Sequence, residues 1–172
     1  MGAEPDRSHV LISLRPRFAN LILAGEKTTE IRRGPSRLQA GATALVYSSL
    51  PVRALIGAVM IADVYVRAPS TVWRKWGSST GLRRHEFERY VEGCEQVTAI
   101  LLGAHTTFPQ PVSLDELRRR AGTFVAPQSY RYVDSLELGV LLNGERTLVD
   151  GLRASERPTG GSPRPVLPVS RS

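Results

Sequence analysis

Apolar residues along the chain come in short bursts, each closed by a turn signal. His9 to Leu14 (HVLISL) is a run fit for a buried strand, and Arg15-Pro16 stops it. Pro16 suits a first helical turn, and Phe18, Leu21 and Ile22 recur at helical spacing. Gly25 then stands where a left-handed C-terminal cap belongs, so a helix is predicted between them. Thr28 to Arg33, with two threonines and an isoleucine, reads as extended and ends at Gly34-Pro35. Gly41 precedes ATALVYSS, and Ala54 to Val66 is a long β-branched stretch with Gly57 as a bulge. These predict two adjacent core strands joined by Leu50-Pro51-Val52-Arg53.

Residues 69 to 93 read as helix in two pieces: a short one carrying Val72, Trp73 and Trp76, then Arg83 to Glu92 with Phe87, Tyr90 and Val91 on one face. Gln96 to Leu102 returns to strand. Ser113-Leu-Asp-Glu116 is a capping-box pattern opening a helix to about Ala121, acids first and Arg118 to Arg120 last, as the helix dipole favours. PQSYRYV at 127 to 133 reads as a closing strand. Beyond 134 the pattern weakens, although Ser135 to Leu142 suits an ordered element, and from Ala154 the chain is Arg, Pro, Gly and Ser with few large apolar residues. The expected organisation is therefore a domain over 7–133, a partly ordered extension over 134–153 and a disordered tail over 154–172. The element order predicts an α+β domain on a small mixed β-barrel or curved sheet with flanking helices. Regular strand-helix alternation is missing, which argues against a doubly wound fold. No GxGxxG, GxxxxGK[ST] or GxSxG occurs.

Charge changes the picture. The net charge is +7, and residues 7 to 133 hold 18 Lys or Arg against 9 Asp or Glu, whereas 134 to 172 hold 5 of each. The basic field belongs to the body of the chain and attracts phosphate-bearing partners, nucleic acid above all; arginine-rich coding in a GC-rich genome is the alternative. Lys27 and Lys75 are the only two lysines in a chain otherwise served by arginine, which marks them as positions where a compact ammonium matters or where chance spared one. No apolar run approaches the ~20 residues of a membrane span, and MGAEPDRSHV is unlike a signal peptide, so a cytoplasmic location is expected. Cys94 is the single cysteine, and His9, His85 and His105 lack ligand spacing; no metal and no cofactor are expected.

GEKTTEIRR, Gly25 to Arg33, carries the candidate chemistry. If Thr28 onward is extended, Ile31 faces the core with Thr29 and Arg33 on its side, leaving Thr28, Glu30 and Arg32 on the other face and Lys27 at the turn before them. Ammonium and guanidinium groups attract phosphate or a carbonyl oxygen, and a carboxylate accepts from base or amine donors. Arg15, Lys27, Thr28, Glu30 and Arg32 are the candidate ligand-binding residues here. The alternative is a solvated edge strand whose charges pair with each other. Elsewhere, Trp73, Trp76, Phe87 and Tyr90 interleave with arginines and offer base stacking or core packing, with Trp76 the candidate for stacking. Tyr130 beside Arg131 is a further ligand-binding candidate, and Asp63 inside an apolar run demands a partner, an arginine being the simplest.

LISLRPRFANLILAGEKTTEIRR followed by ALVYSSLPVRALIGAVMIADV resembles the ASCH (activating signal cointegrator homology) family: strand, helix ending in Gly-x-Lys, short strand ending in Arg, then a strand pair with Ile-Gly-x-Val. The resemblance covers about 9 to 66. It implies a PUA-like fold with Lys27 and its neighbours lining a basic cleft beside the first helix, and RNA or a modified nucleoside or nucleotide as partner. One branch of the family deacetylates acetylcytidine with a Lys, a Thr three residues later and a more distant Glu; here Glu30 holds that Thr position. The leading expectation is an RNA- or nucleotide-binding protein. The alternative is an enzyme of the same fold, a hydrolase of acylated nucleosides or a ribonuclease, with Lys27 and Glu30 catalytic. A DNA-binding transcriptional regulator, with a recognition helix in 83–93 or 114–121, ranks third.

Overall fold

The computed structural model describes residues 7–155. Its frame is a pair of long antiparallel strands, β4 (Ala54–Arg67) and β5 (Val97–Ser113). β5 also pairs with the short strand β2 (Thr29–Arg33), and β4 with β3 (Thr43–Ser48). Beyond β3 lie β1 (His9–Leu14), parallel to it, and β6 (Tyr130–Tyr132), giving the order β2-β5-β4-β3-β1-β6. Register shifts between Leu55 and Gly57, Val59 and Ile61, and Ile61 and Asp63 each add local twist, and the six strands curl into a half-barrel. This is the curved mixed α+β sheet that the pattern predicts.

Gly57 shows why the curl and the first helix go together. A Cβ there would lie 2.3 Å from the Thr106 carbonyl oxygen and 2.8 Å from a methyl of Leu23, so only glycine lets helix α1 (Pro16–Leu23) settle on the sheet. That face is filled by Val10, Ile12, Val46, Val59 and Ile61 against Ala19 and Ile22. The opposite face holds Leu11, Leu45, Tyr47 and Leu55 against helix α4 (Leu114–Ala121) and helices α5 (Ser135–Leu142) and α6 (Arg146–Ser155). Leu138, Leu141, Leu142 and Val149 are fully buried in this cluster, so residues 135–152 complete the same core as the strands. Between β4 and β5 the chain makes an excursion through α2 (Pro69–Trp76), a short 3-10 turn and α3 (Arg84–Tyr90), packed by Val72 and Phe87 on Ile31, Val97 and Ala99.

Two details differ from the sequence reading. β5 continues past Leu102 through GAHTTFPQPVS to Ser113. Pro109 and Pro111 mask it as a strand, but β2 pairs only with Val97 to Leu101, so further along β5 has one free edge where a missing N–H costs nothing. Asp63 has no arginine: its carboxylate accepts from the Tyr65 hydroxyl at 2.6 Å and the Val64 amide at 2.9 Å. β4 projects beyond the end of β3 at that point, so the carboxylate is only half-buried and needs no cation. Past residue 155 the tail expected from Ala154 lies outside the described residues, as does the N-terminal MGAEPD.

Leu141→Ala is expected to destabilise the whole chain by about 2–5 kcal/mol in one cooperative denaturant transition. Leu136→Ala, at a position 85% exposed, should stay within about 0.5 kcal/mol of wild type. An unchanged main transition in Leu141→Ala would mean that the C-terminal helices are not part of this core.

Candidate functional site

Helix α1 ends in a left-handed turn at Gly25, φ 75°, and the amides of Glu26 and Lys27 both bond the Leu21 carbonyl, at 2.9 and 3.0 Å. The turn drives Lys27 inward. Its side chain is 2% exposed, and its Nζ donates to the Thr29 carbonyl at 2.8 Å and to the Thr80 carbonyl, and lies 3.1 Å from Glu30 Oε2. The Phe18 ring closes the fourth side, 5.2 Å from Nζ. Burial pushes the Lys27 amine below the usual lysine range, with Glu30 pulling it back up and Arg32 and Arg17 opposing. Three acceptors surround Nζ, and only an ammonium has three protons to give them. Lys27 is therefore held as a cation.

Glu30 passes the charge on: Arg32 Nη2 stands 3.3 Å from Glu30 Oε1 and donates to the Ser13 carbonyl of β1 at 3.1 Å. The alternation expected from the sequence holds, with Ile31 packed on Phe87 and Val72, and Glu30 and Arg32 on the other face. The edge strand is nevertheless not solvated, since Glu30 is 6% exposed. The structure thus brings Lys27, Glu30 and Arg32 together beneath the surface. Thr28 and Arg15 flank them with exposed side chains. Trp76 and Tyr130 lie elsewhere: Trp76 stacks on Tyr65 of β4, and Tyr130, on the far edge strand β6, meets Ser36 Oγ at 3.3 Å and the Arg37 amide at 3.4 Å.

A strap from the excursion covers Lys27. Besides the Thr80 carbonyl, the Ser79 carbonyl accepts from the Thr28 amide at 3.1 Å, and the Ser79 and Thr29 hydroxyls pair at 2.8 Å. Arg17 of α1 latches the strap, holding Glu86 at 2.7 and 3.4 Å and the Gly81 carbonyl at 2.9 Å, while Glu86 also accepts from the Arg83 amide at 2.7 Å. Arg17 and that amide bring the Glu86 carboxyl down to about 2.

A second constellation was not legible in the sequence. Tyr47, next to last in β3, is 3% exposed against Phe124, and Arg53 and Arg118 place positive charge beside its hydroxyl. Burial holds that hydroxyl above the ordinary tyrosine range, although both arginines pull it down. Arg53, in the left-handed region at φ 51°, is fixed by its carbonyl, which accepts from the Leu114 amide at the start of α4, the helix that also carries Arg118. Register sets Ser13 beside Tyr47 on the same face of the parallel β1–β3 pair, and Ser129 bonds the Ser13 amide through its carbonyl. Ser13 Oγ is buried without a partner among the described residues. The hydroxyls and guanidinium groups thus converge at the carboxyl ends of two parallel strands. In the sequence, Tyr47 reads as one more strand residue; the run Tyr47-Ser48-Ser49 ending an apolar strand was the available signal.

A model of the ASCH domain matches residues 12–104. The chain belongs to the ASCH family. A Zymomonas mobilis protein called ASCH domain-containing ribonuclease is 32% identical over 139 residues, covering 81% of this chain and 93% of that protein. The crystal structure of ASCH from Zymomonas mobilis superposes with a TM-score of 0.76 at 32% identity, over 81% of this ASCH chain and 96% of the other. Its variant with a serine changed to alanine gives 0.77 at 31% identity, over 81% and 98%. A hypothetical protein from Leishmania major shares the fold alone, with a TM-score of 0.51 at 16% identity over 82% and 96% of the two chains. The ASCH chain thus carries the PUA-like fold. Among its described residues, no three His, Cys, Asp or Glu side chains gather as metal ligands, and no helix is long and apolar enough to cross a membrane.

Because Glu86 titrates lower folded than at its ordinary 4.5, the unfolded chain binds more protons between those values. Its contribution is complete above pH 4.5 and is lost as pH falls towards 2; melting temperatures of wild type should drop across that window more steeply than those of Glu86→Gln. Lys27→Met should cost about 3–5 kcal/mol, because it strands the buried Glu30 carboxylate and two carbonyls. A near-neutral Lys27→Met in denaturant titration would mean the cation is not held as described.

Proposed function

We propose that this ASCH protein binds RNA and cleaves it at the Tyr47–Arg53–Arg118 cluster. The observation that carries the reading is the Tyr47 hydroxyl, kept protonated by burial yet flanked by two arginines whose side chains emerge at the surface. In RNA transesterification the 2′-hydroxyl gives up its proton to water as its oxygen bonds to phosphorus, the bond from phosphorus to the 5′-oxygen breaks, and the 5′-oxygen leaves with a proton. A protonated phenol suits donation to the phosphate or the leaving oxygen, and two guanidinium groups suit the phosphate charge. The net charge of +7 and the relative called a ribonuclease support the same substrate. A companion crystal structure of that Zymomonas protein carries a tyrosine changed to phenylalanine, which agrees in kind with a working phenol. The lone free Cys94 is compatible with a reducing cytoplasm, where we place the activity.

Lys27 and Glu30 fit a different role. A catalytic base at Lys27 needs a lone pair, and its three protons are engaged beneath the strap. The hydrolysis of acylated nucleosides therefore loses its proposed machinery. The regulator reading finds less support: α3 has seven residues and spends Phe87 on the core, and α4 spends Leu114 and Leu117 on it.

With short labelled RNA, wild type should release defined fragments, and Tyr47→Phe should slow that release by about 10²-fold or more while still shifting the RNA. Arg53→Ala should weaken both steps. Cleavage undiminished in Tyr47→Phe would overturn the assignment of the site. A salt-sensitive shift without any cleavage by wild type would leave the protein as an RNA binder only.

A further inference from the structure

The excursion between β4 and β5 carries two tryptophans with different fates. Trp73 turns inward onto Phe87, ring centroids 5.0 Å apart. Trp76 borders the same cluster and stacks on Tyr65 of β4, centroids 5.1 Å apart and planes 21° from parallel. Both rings of that stack are half-buried. The Tyr65 hydroxyl is anchored on Asp63, which fixes the ring in place. Cations sit over the pair: Lys75 Nζ 5.6 Å from the Trp76 centroid and Arg67 Cζ 5.6 Å from that of Tyr65, with Arg74 exposed alongside.

These cations have no acidic partner among the described residues. Arg17, Arg84, Arg119, Arg120, Arg131 and Arg146 each pair with a carboxylate, whereas among the described residues Arg67, Arg74 and Lys75 pair with none. The nearest acid along β4, Asp63, already accepts from Tyr65 and the Val64 amide. A pre-stacked aromatic pair ringed by unneutralised cations is the chemistry that holds single-stranded RNA, bases on the rings and phosphates on the cations.

We propose that Tyr65 and Trp76, with Arg67, Arg74 and Lys75, form a platform for single-stranded RNA apart from the Tyr47 cluster. The proposal rests on the RNA reading above and deepens it, since it names the strandedness of the substrate and a second place where it is gripped. Leu55, the β4 partner of Tyr47, and Tyr65 are ten residues apart on one strand. At ~3.3 Å per residue that is at most about 33 Å, less along a curled sheet, within the span of the ~4–16 nucleotides that single-strand modules cover. The platform thus holds a substrate strand whose scissile phosphate lies several nucleotides away.

The test is fluorescence anisotropy of the full chain with a labelled 16-nucleotide oligouridine and with a blunt RNA duplex of equal length. All variants are made in the Tyr47→Phe background, so that the probe survives. Trp76→Leu keeps apolar volume without a π-face and should weaken single-strand binding about tenfold, while Trp76→Phe stays within about threefold. Arg67→Ala with Lys75→Ala should lower the log–log salt slope by about 1.4, at ~0.7 per phosphate contact on a single strand. Equal thermal stability of Trp76→Leu and Trp76→Phe ties the difference to stacking. The platform is overturned, with RNA binding intact, if Trp76→Leu binds as tightly as its parent or if the duplex binds as tightly as the single strand. Absence of RNA binding by the parent protein sinks the platform and the RNA reading together; cleavage by wild type alongside an unaffected Trp76→Leu sinks only the platform.

Discussion

The half-barrel depends on a chain of buried charge where backbone pairing stops. β2 has a strand neighbour on one side only, and the gap towards β1 is bridged by side chains, from the Lys27 ammonium through Glu30 to the Arg32 guanidinium and the Ser13 carbonyl. Isolated charges at such depth are costly, and mutual pairing with hydrogen bonds from the backbone offsets most of that cost. What such a chain contributes is registry. A shift of β2 by one residue would turn Glu30 and Arg32 to the other face and leave Lys27 without its counter-charge. The rarity of lysine in this chain acquires a physical reason at position 27: three acceptors lie around one nitrogen, a tetrahedral arrangement that a planar guanidinium does not fit.

Closure at that seam also sets where chemistry is possible. α1 fills one face of the sheet, so the carboxyl ends of the parallel β1 and β3 open towards the face covered by α4, α5 and α6. There the hairpin after β3 brings Arg53, α4 brings Arg118, and the strand itself brings Tyr47. The charged run from Lys27 to Arg32 thus works as structure, and the less conspicuous tyrosine sits beside two cations.

Much of the fold was legible because local signals agreed with one another. Pro16 and Gly25 bracket α1, Gly57 marks the bulge, and Ser113 with Glu116 opens α4 as the capping pattern indicates, the Ser113 hydroxyl accepting from the Glu116 amide. The second half of β5 was hidden because its prolines are tolerated by a free edge, a property of the neighbouring strand rather than of the segment itself. For the site, alternation put Glu30 and Arg32 on the face away from Ile31 with Lys27 at the turn before them, but burial depends on the strap from residues 77–83, some fifty positions along the chain. Tyr47 escaped for a similar reason: its arginine neighbours arrive through a turn and a helix, and no spacing in the sequence encodes that meeting.

The segment from Ala68 to Gln96 leaves the sheet at the end of β4 and returns at the start of β5, so it is a detour within a single hairpin. Topologically, its length and content are free parameters: exchanging it alters no strand order and no ladder register. Both tryptophans, Arg74 and Lys75 lie on this detour, while Tyr65 and Arg67 lie on β4 just before it and Tyr47 with its arginines lies well outside it. Selection can therefore retune this surface without redesigning the sheet, provided that each new detour still offers one carbonyl to the lysine at the seam.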